Sequence, residues 1–368
     1  MPAIDAPPRP ALLDRSPDPE LQWHGAGGGT PRLAAAAGIA ALLSVPWVLP
    51  PYPVIVFSSA LVLSIACLGL NLLLGHTGLV SFGHAAYYGV GAYAGALVFS
   101  FYDLTSLEEY LLAGLLAATT LAACIGFFCV RATRMHFTIL TLAFAQMIYS
   151  LFISGAILRA GGGKGEGLFL FGGGGLYIPR FKVAGADVPL EHFHTALYYV
   201  ILACFLACCG FMWLLLRSPF GVALRAIRDN DLRAECVGVR VRRYRWAAFV
   251  ISGVITGLAG GLAGQLDRQV TPEQLYWLFS AKLVLATVVG GHRYLMGPVI
   301  GAFALTALHE FALRFTQYHS VVLGGLLIGV VLTFPGGLAG CAILCLNRLR
   351  AALSPPPEAL SRPSTPEA

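Results

Sequence analysis

Charge is what this chain has least of. Asp, Glu, Lys and Arg make up only 11% of its 368 residues, against about 25% in a soluble globular protein. With 57% hydrophobic residues and a mean hydropathy of +0.74, that scarcity excludes an ordinary water-soluble domain. The bulk of the chain belongs in lipid. At about 20 residues per helical span, the length admits roughly eight to ten spans.

Several chemistries are missing as well. The nine cysteines form no CxxC pair and their number is odd; eight of them (Cys67, Cys124, Cys129, Cys204, Cys208, Cys209, Cys341 and Cys345) lie in or at the end of apolar runs. They read as small buried hydrophobes rather than a disulfide framework or a metal site. His309-Glu310 is followed by Phe311, Ala312 and Leu313, so no H-E-x-x-H forms, and there is no G-x-S-x-G elbow. No catalytic residues are therefore expected. The run around Lys164 fails as a phosphate-binding loop, because Leu158 stands where a glycine is needed and Gly165 follows the lysine. The chain is thus not expected to hydrolyse ATP or to bind a cofactor itself. Its spans carry no row of carboxylates such as an ion-coupled carrier uses. Nor do its arginines interleave with base-stacking aromatics, which excludes nucleic acid.

The apolar runs divide into spans at about 33–50, 54–74, 85–101, 110–130, 137–158, 196–216, 247–264, 278–291, 295–313 and 320–341. The expected fold is an all-α, polytopic membrane protein of about ten transmembrane helices, eight being possible, some of them interrupted. Residues 1–32 and 349–368 are Pro-rich and lack an apolar face, so both are expected to be disordered tails. Between them, 33–348 forms the membrane domain, with a polar loop at 217–246 and another at 159–195. Seventeen Lys/Arg residues fall on the amino-terminal side of this topology and seven on the other. The bias places both termini and the loop 217–246 in the cytoplasm, and 159–195 outside.

Two segments interrupt the pattern. Gly75 to His84 (Gly-His-Thr-Gly-Leu-Val-Ser-Phe-Gly-His) is too glycine-rich for continuous helix. Broken backbone survives at membrane depth only inside protein or along a water-filled path, and such breaks point to translocation pathways. His76, Gly78, Ser81, Gly83, His84, Tyr87, Tyr88 and Gly91 are therefore path candidates, with plain helix packing as the other reading. A second glycine cluster runs from Gly290 to Gly301 and reads as a tight reversal between two short spans. Lys282 and Glu310 stand at span edges toward the outer face, where snorkelling and a mutual ion pair are both open. The glycine run from Ala160 to Gly175 reads as a flexible outer loop or as a docking surface for an external partner.

The densest charge lies at 217–246, with eight arginines and three carboxylates between two spans that carry none. Ser218-Pro219 begins a helix, Val222–Val237 runs without Gly or Pro for about four turns, and Gly238 ends it. Leu224 and Ile227 form an apolar stripe, which Leu232 and Cys236 continue. A lipid-facing amphipathic helix is one reading. The mixed signs of Arg225, Arg228, Asp229, Asp231, Arg233 and Glu235 suit a protein groove better.

These elements together resemble the permease subunits of branched-chain amino acid ABC importers. The resemblance rests on the run Gly75–Tyr93, on Ser218-Pro-Phe-Gly with Leu224-Arg-Ala-Ile-Arg-Asp-Asn and Arg233-Ala-Glu-Cys-Val-Gly, and on Phe249–Ala263. Val288-Val-Gly-Gly, Gly297-Pro298 and Phe334-Pro-Gly-Gly-Leu338 extend it, so that it covers about 54–341. It implies a multi-pass protein of a bacterial inner membrane that pairs with a second, homologous permease. Two cytoplasmic ATPases would use ATP, and an external solute-binding protein would deliver the cargo. Arg225, Arg228, Asp229, Asp231, Arg233, Glu235 and Gly238 would then form the ATPase-coupling loop. Two departures from the family pattern, the diluted glycine element at 160–168 and Lys282 where relatives carry an acid, bear on cargo and binding protein. Related importers carry urea, short amides or aromatic acids, so these stay open as cargo. A stand-alone secondary transporter or channel is the rival from another class; a membrane-embedded enzyme has no catalytic cluster to build on.

Overall fold

The computed structural model describes residues 30–102, 106–132, 134–154, 175–178, 182, 190–315 and scattered positions from 321 to 341. The outermost tails, the glycine run 160–174 and most of the tenth expected span lie outside the described residues. Two compact units divide the chain at Pro50. The first contributes one described helix, α1 (Thr30–Val48), which carries Pro46 in its last turn.

The described residues of the second unit are helical almost throughout. Its elements are α2 (Pro51–Leu74), α3 (His84–Tyr102), α4 (Leu107–Cys129), α5 (Arg134–Ile153), α6 (Leu190–Arg217), α7 (Pro219–Asp229), α8 (Asp231–Cys236), α9 (Val241–Asp267), α10 (Trp277–Gly290) and α11 (Gly297–Phe315). Nine of the ten expected spans thus fall on described helices. Among the described residues, five helices are long and apolar enough to cross a membrane on their own: α2, α4, α5, α6 and α9. α10, with 14 residues, rises only about 21 Å and falls short of the hydrocarbon thickness, as its sequence predicts. The chain also carries a structure that its apolar periodicity does not announce. Leu176–Tyr177 pairs antiparallel with Gln269–Val270 as a two-stranded ribbon, β1 and β2, joined to α10 by a 3₁₀ turn at Pro272–Leu275.

The core is built around α2 and α9. Within the apolar stretch of each, 72% of residues are buried, against 28% in α4 and α5, so the latter two form the periphery. Their outer faces carry Leu112, Leu116, Phe127, Ile139 and Met147 exposed, which suits lipid. α9 packs against α2, α3 and α4, and glycine is the reason it can. A Cβ on Gly257 would collide with Ala118 of α4, one on Gly260 with the Tyr88 carbonyl, and one on Gly91 of α3 with the Gly257 carbonyl. Small residues let backbones approach where there is no hydrophobic drive between helices in lipid.

Candidate functional site

The break between α2 and α3 lies where the glycines predict it. At the end of α2, the Thr77 amide and hydroxyl both donate to Leu73 O, and the Leu79 amide donates to the same carbonyl at 3.1 Å. Gly78 turns the chain at φ +70, a left-handed conformation that costs glycine nothing. From Val80 to Phe82 the backbone makes no helical bond among the described residues, and α5 supplies two partners. The Thr138 hydroxyl donates to Val80 O at 2.9 Å, and the Phe82 amide donates to Thr141 Oγ1 at 3.3 Å. Two threonines thus substitute for the missing helix ladder, as irregular backbone inside a membrane protein requires.

α3 begins at His84 on a fully buried relay. Ser252 of α9 donates its one hydroxyl proton to Gly69 O of α2 at 2.6 Å. It must therefore accept from His84 Nε2, 2.6 Å away. The imidazole is then the Nε2–H tautomer and its Nδ1 accepts from Ser81 Oγ at 3.1 Å. Ser81 in turn accepts the Gly83 amide at 3.2 Å. Every donor in the relay has an acceptor, and the chain of bonds ties α2, α3 and α9 together. Tyr87 packs edge-on against His84 and against Phe249 of α9, and Tyr88 stacks on Phe279 of α10 at 4.3 Å. Of the eight path candidates, His76, Ser81, Gly83, His84, Tyr87, Tyr88 and Gly91 are buried, and Gly78 is half-buried.

His76 stands apart from the relay. It is buried, and neither ring nitrogen has a hydrogen-bond partner among the described residues. Burial pushes its pKa down to about 3, and the nearby charges of Arg228, Arg225 and His292 act in the same direction. Burial also lowers His292, with Arg293 and Arg228 adding to the effect. The break and the arginine-rich loop therefore meet at His76.

The loop differs from the single four-turn helix expected at Val222–Val237. It is two helices, α7 and α8, separated at Asn230, whose backbone is extended at φ −160 and ψ 111. The Asn230 side chain accepts the Arg233 amide at 3.0 Å and caps α8. Asn followed by Asp-Leu-Arg is a helix-start signal, and here it outweighs the absence of Gly or Pro. Ser218 occupies the N-cap position, but its hydroxyl donates back to Leu215 O at 2.6 Å. Gly238, at φ +88, ends α8 as expected.

Within the loop, Leu224 and Ile227 are fully buried and Leu232 is 74% exposed, so the apolar stripe stops at the Asn230 break. Asp229, Arg233, Glu235 and Gly238 face outward, while Arg225 and Arg228 are half-buried. Arg228 Nη1 donates to Gly75 O, at the end of α2, at 2.8 Å. Asp231 forms an ion pair with Arg245 near the start of α9. Arg245 is 8% exposed, so it is more than a charge holding the loop to one side of the membrane. Phe220 stacks on Tyr244. On the side of Lys282 and Glu310, the Tyr52 hydroxyl donates to Glu310 at 2.7 Å. No Lys282–Glu310 ion pair is present among the described residues. The carboxylate that acts on Lys282 electrostatically is Asp267, at the end of α9.

A polytopic helical subunit with a broken second-to-third span connection and a docked arginine-rich loop defines a membrane transport component. Residues 52–331 match the family described as branched-chain amino acid transport system / permease component, and the chain belongs to that family. The high-affinity branched-chain amino acid transport system permease protein LivM of Escherichia coli (strain K12) is 28% identical over 287 residues, 74% of this chain and 66% of LivM. This chain therefore spans just under two thirds of the length of that relative. The permease protein BraD of a Pseudomonas aeruginosa high-affinity branched-chain amino acid transport system is 23% identical over 286 residues, 75% of this chain and 91% of BraD. The autoinducer 2 import system permease protein LsrC of Klebsiella pneumoniae subsp. pneumoniae is 30% identical over 128 residues, 32% of this chain and 37% of LsrC. No solved structure matches the chain.

Proposed function

We propose that this chain is a membrane-spanning permease subunit of an ATP-driven importer for branched-chain amino acids. It forms the cargo path with a second permease, takes cargo from an external solute-binding protein, and binds two cytoplasmic ATPases that hydrolyse the ATP. The family match over 52–331 carries the reading, together with the branched-chain amino acid systems named for LivM and BraD. The loop supports the ATPase contact. Its outer surface exposes Val222, Leu232 and Val237 as well as Asp229, Arg233 and Glu235, apolar side chains mixed with both signs of charge. Such a surface suits a protein groove better than anionic lipid, which favours a uniformly basic face.

In this conformation the relay through Ser81, His84 and Ser252 holds the break against α2 and α9. Alternating access by rocking of packed helices then requires the break to move with those helices. A second cargo reading, a different small polar solute, is favoured by the stretch similar to LsrC. Reconstitution of the five-subunit assembly in liposomes, with leucine and a panel of urea, short amides and aromatic acids, tests both. ATP-dependent leucine uptake is expected. Uptake by this chain alone, without ATP, would replace the proposal with a stand-alone carrier.

A further inference from the structure

The loop that the proposed function assigns to ATPase contact is fastened to its own membrane helices at two points, one in each half. In α7, Arg228 reaches inward and donates to Gly75 O. That carbonyl lies just past the last turn of α2, where carbonyls have no helical partner and a cation is favoured by the helix dipole. Gly75 is closely surrounded there: a Cβ would meet His292 O and the Asn71 side chain. In α8, Asp231 pairs with the buried Arg245 of α9. Apolar packing backs both anchors: Ile227 and Ala234 bury against Val241, with Val239 and Tyr244 alongside. The extended residue Asn230 separates the two halves.

The two anchored helices are themselves joined. Ser252 of α9 bonds Gly69 O of α2, and Gly69 has Thr256 Oγ1 only 2.8 Å from where a Cβ would stand. A displacement of the loop therefore passes directly into the α2–α9 pair. The break 75–83 hangs from the anchored end of α2.

Resting on the importer reading, we propose that Arg228 and Asp231 are positioning residues that transmit loop movement to the helix break, rather than residues that touch the ATPase. The ATPase contact falls instead to the outward Arg233 and Glu235 with the exposed Leu232 and Val237, since Asp229 is itself paired with Arg228 at 3.4 Å. The division separates two effects that a simple contact loop would merge. Loss of an outward residue weakens the ATPase and transport together. Loss of an anchor lets the ATPase cycle while the break no longer follows.

The test uses the reconstituted transporter with Arg228→Ala, Arg228→Lys, Asp231→Asn and, for comparison, Arg233→Ala. ATP hydrolysis stimulated by the loaded binding protein is measured beside uptake. In Arg228→Ala and Asp231→Asn, hydrolysis is expected to stay within about twofold of the unaltered transporter while uptake per ATP falls roughly tenfold, as losing a charge-assisted bond implies. Lys still donates to the Gly75 carbonyl, so Arg228→Lys should recover uptake per ATP to within about threefold. Arg233→Ala should lower hydrolysis and uptake in proportion. Equal loss of both in Arg228→Ala, or no loss of either, overturns the assignment.

Hydrogen–deuterium exchange of the same complexes in nanodiscs keeps the anchor testable whatever the cargo. Exchange across 75–83 should rise roughly tenfold in Arg228→Ala and stay unchanged across 252–260. Unchanged exchange at 75–83 overturns the anchor. Absence of ATP-dependent uptake by the unaltered complex would instead overturn the importer reading.

Discussion

Replacing Ser252 with alanine removes the hydroxyl at the centre of the α2–α3–α9 relay. Ser252 accepts from His84 Nε2 and donates to Gly69 O, both at 2.6 Å. Without it, the Nε2–H of a fully buried imidazole has no acceptor. Moving the proton to Nδ1 does not help, because that nitrogen then meets the Ser81 hydroxyl as a donor and Ser81 loses its own acceptor. Either tautomer leaves one donor unpaired in a dry interior, at a cost of about 1–3 kcal/mol. Interhelical bonds in membranes typically contribute only about 0.6 kcal/mol, with a maximum near 1.7, because the unfolded reference also finds partners. The orphaned donor puts this case toward the upper end, at about 2 kcal/mol. For a protein of this size the midpoint of thermal unfolding should then fall by roughly 2–3 °C. The assay is tryptophan fluorescence in detergent at a fixed scan rate. Ser58→Ala is the internal control, since the Ser58 hydroxyl donates only to Val54 O one turn back in its own helix and its removal orphans no donor. A midpoint for Ser252→Ala equal to that of Ser58→Ala would refute the relay.

Further substitutions test other joints of the structure. Gly91→Ala drives a methyl group into the Gly257 carbonyl; overpacking of this kind costs about 1–3 kcal/mol and should lower the same unfolding midpoint, whereas Gly210→Ala, with open space around it, should not. Asn230→Ala removes the cap of α8, worth about 1 kcal/mol, and should speed proteolysis between 230 and 238; unchanged cleavage would argue against the break in the loop. His76 stays neutral in the fold down to about pH 3, while the unfolded chain takes up a proton near 6.5. The unfolded state therefore binds more protons between these values, and stability attributable to this group falls as pH drops from 6.5 toward 3. Unfolding midpoints at pH 7.5, 5.5 and 4.5 should converge or cross between the unaltered protein and His76→Gln; parallel curves would contradict a neutral buried His76.

Much of this architecture is readable from residue order. The span positions, the short α10, the break at Gly75–His84 and the stop at Gly238 all follow from local composition, because helix length, glycine content and capping are local properties. Other features depend on distant partners. Arg228 and Gly75 are 153 residues apart, and nothing near either residue signals the other. Arg245 looks like its neighbours Arg242 and Arg243 in sequence, yet it alone of the three is buried, because Asp231 lies opposite it. Lys282 and Glu310 sit at similar expected depths, but helix rotation turns Glu310 toward Tyr52 and leaves Lys282 facing Asp267. The split at Asn230 was within reach of the sequence, since Asn-Asp-Leu-Arg restarts a helix. An uninterrupted run without Gly or Pro hides that signal.

As an importer subunit of the proposed kind, the chain should move cargo only as part of an ATP-driven assembly. The direct measurement is uptake of radiolabelled leucine into liposomes that hold this chain, its partner permease, both ATPases and the solute-binding protein. Uptake is predicted to require ATP and to vanish when the ATPases or the binding protein are left out. Leucine entry through this chain alone, or ATP-independent entry through the whole assembly, would contradict the account.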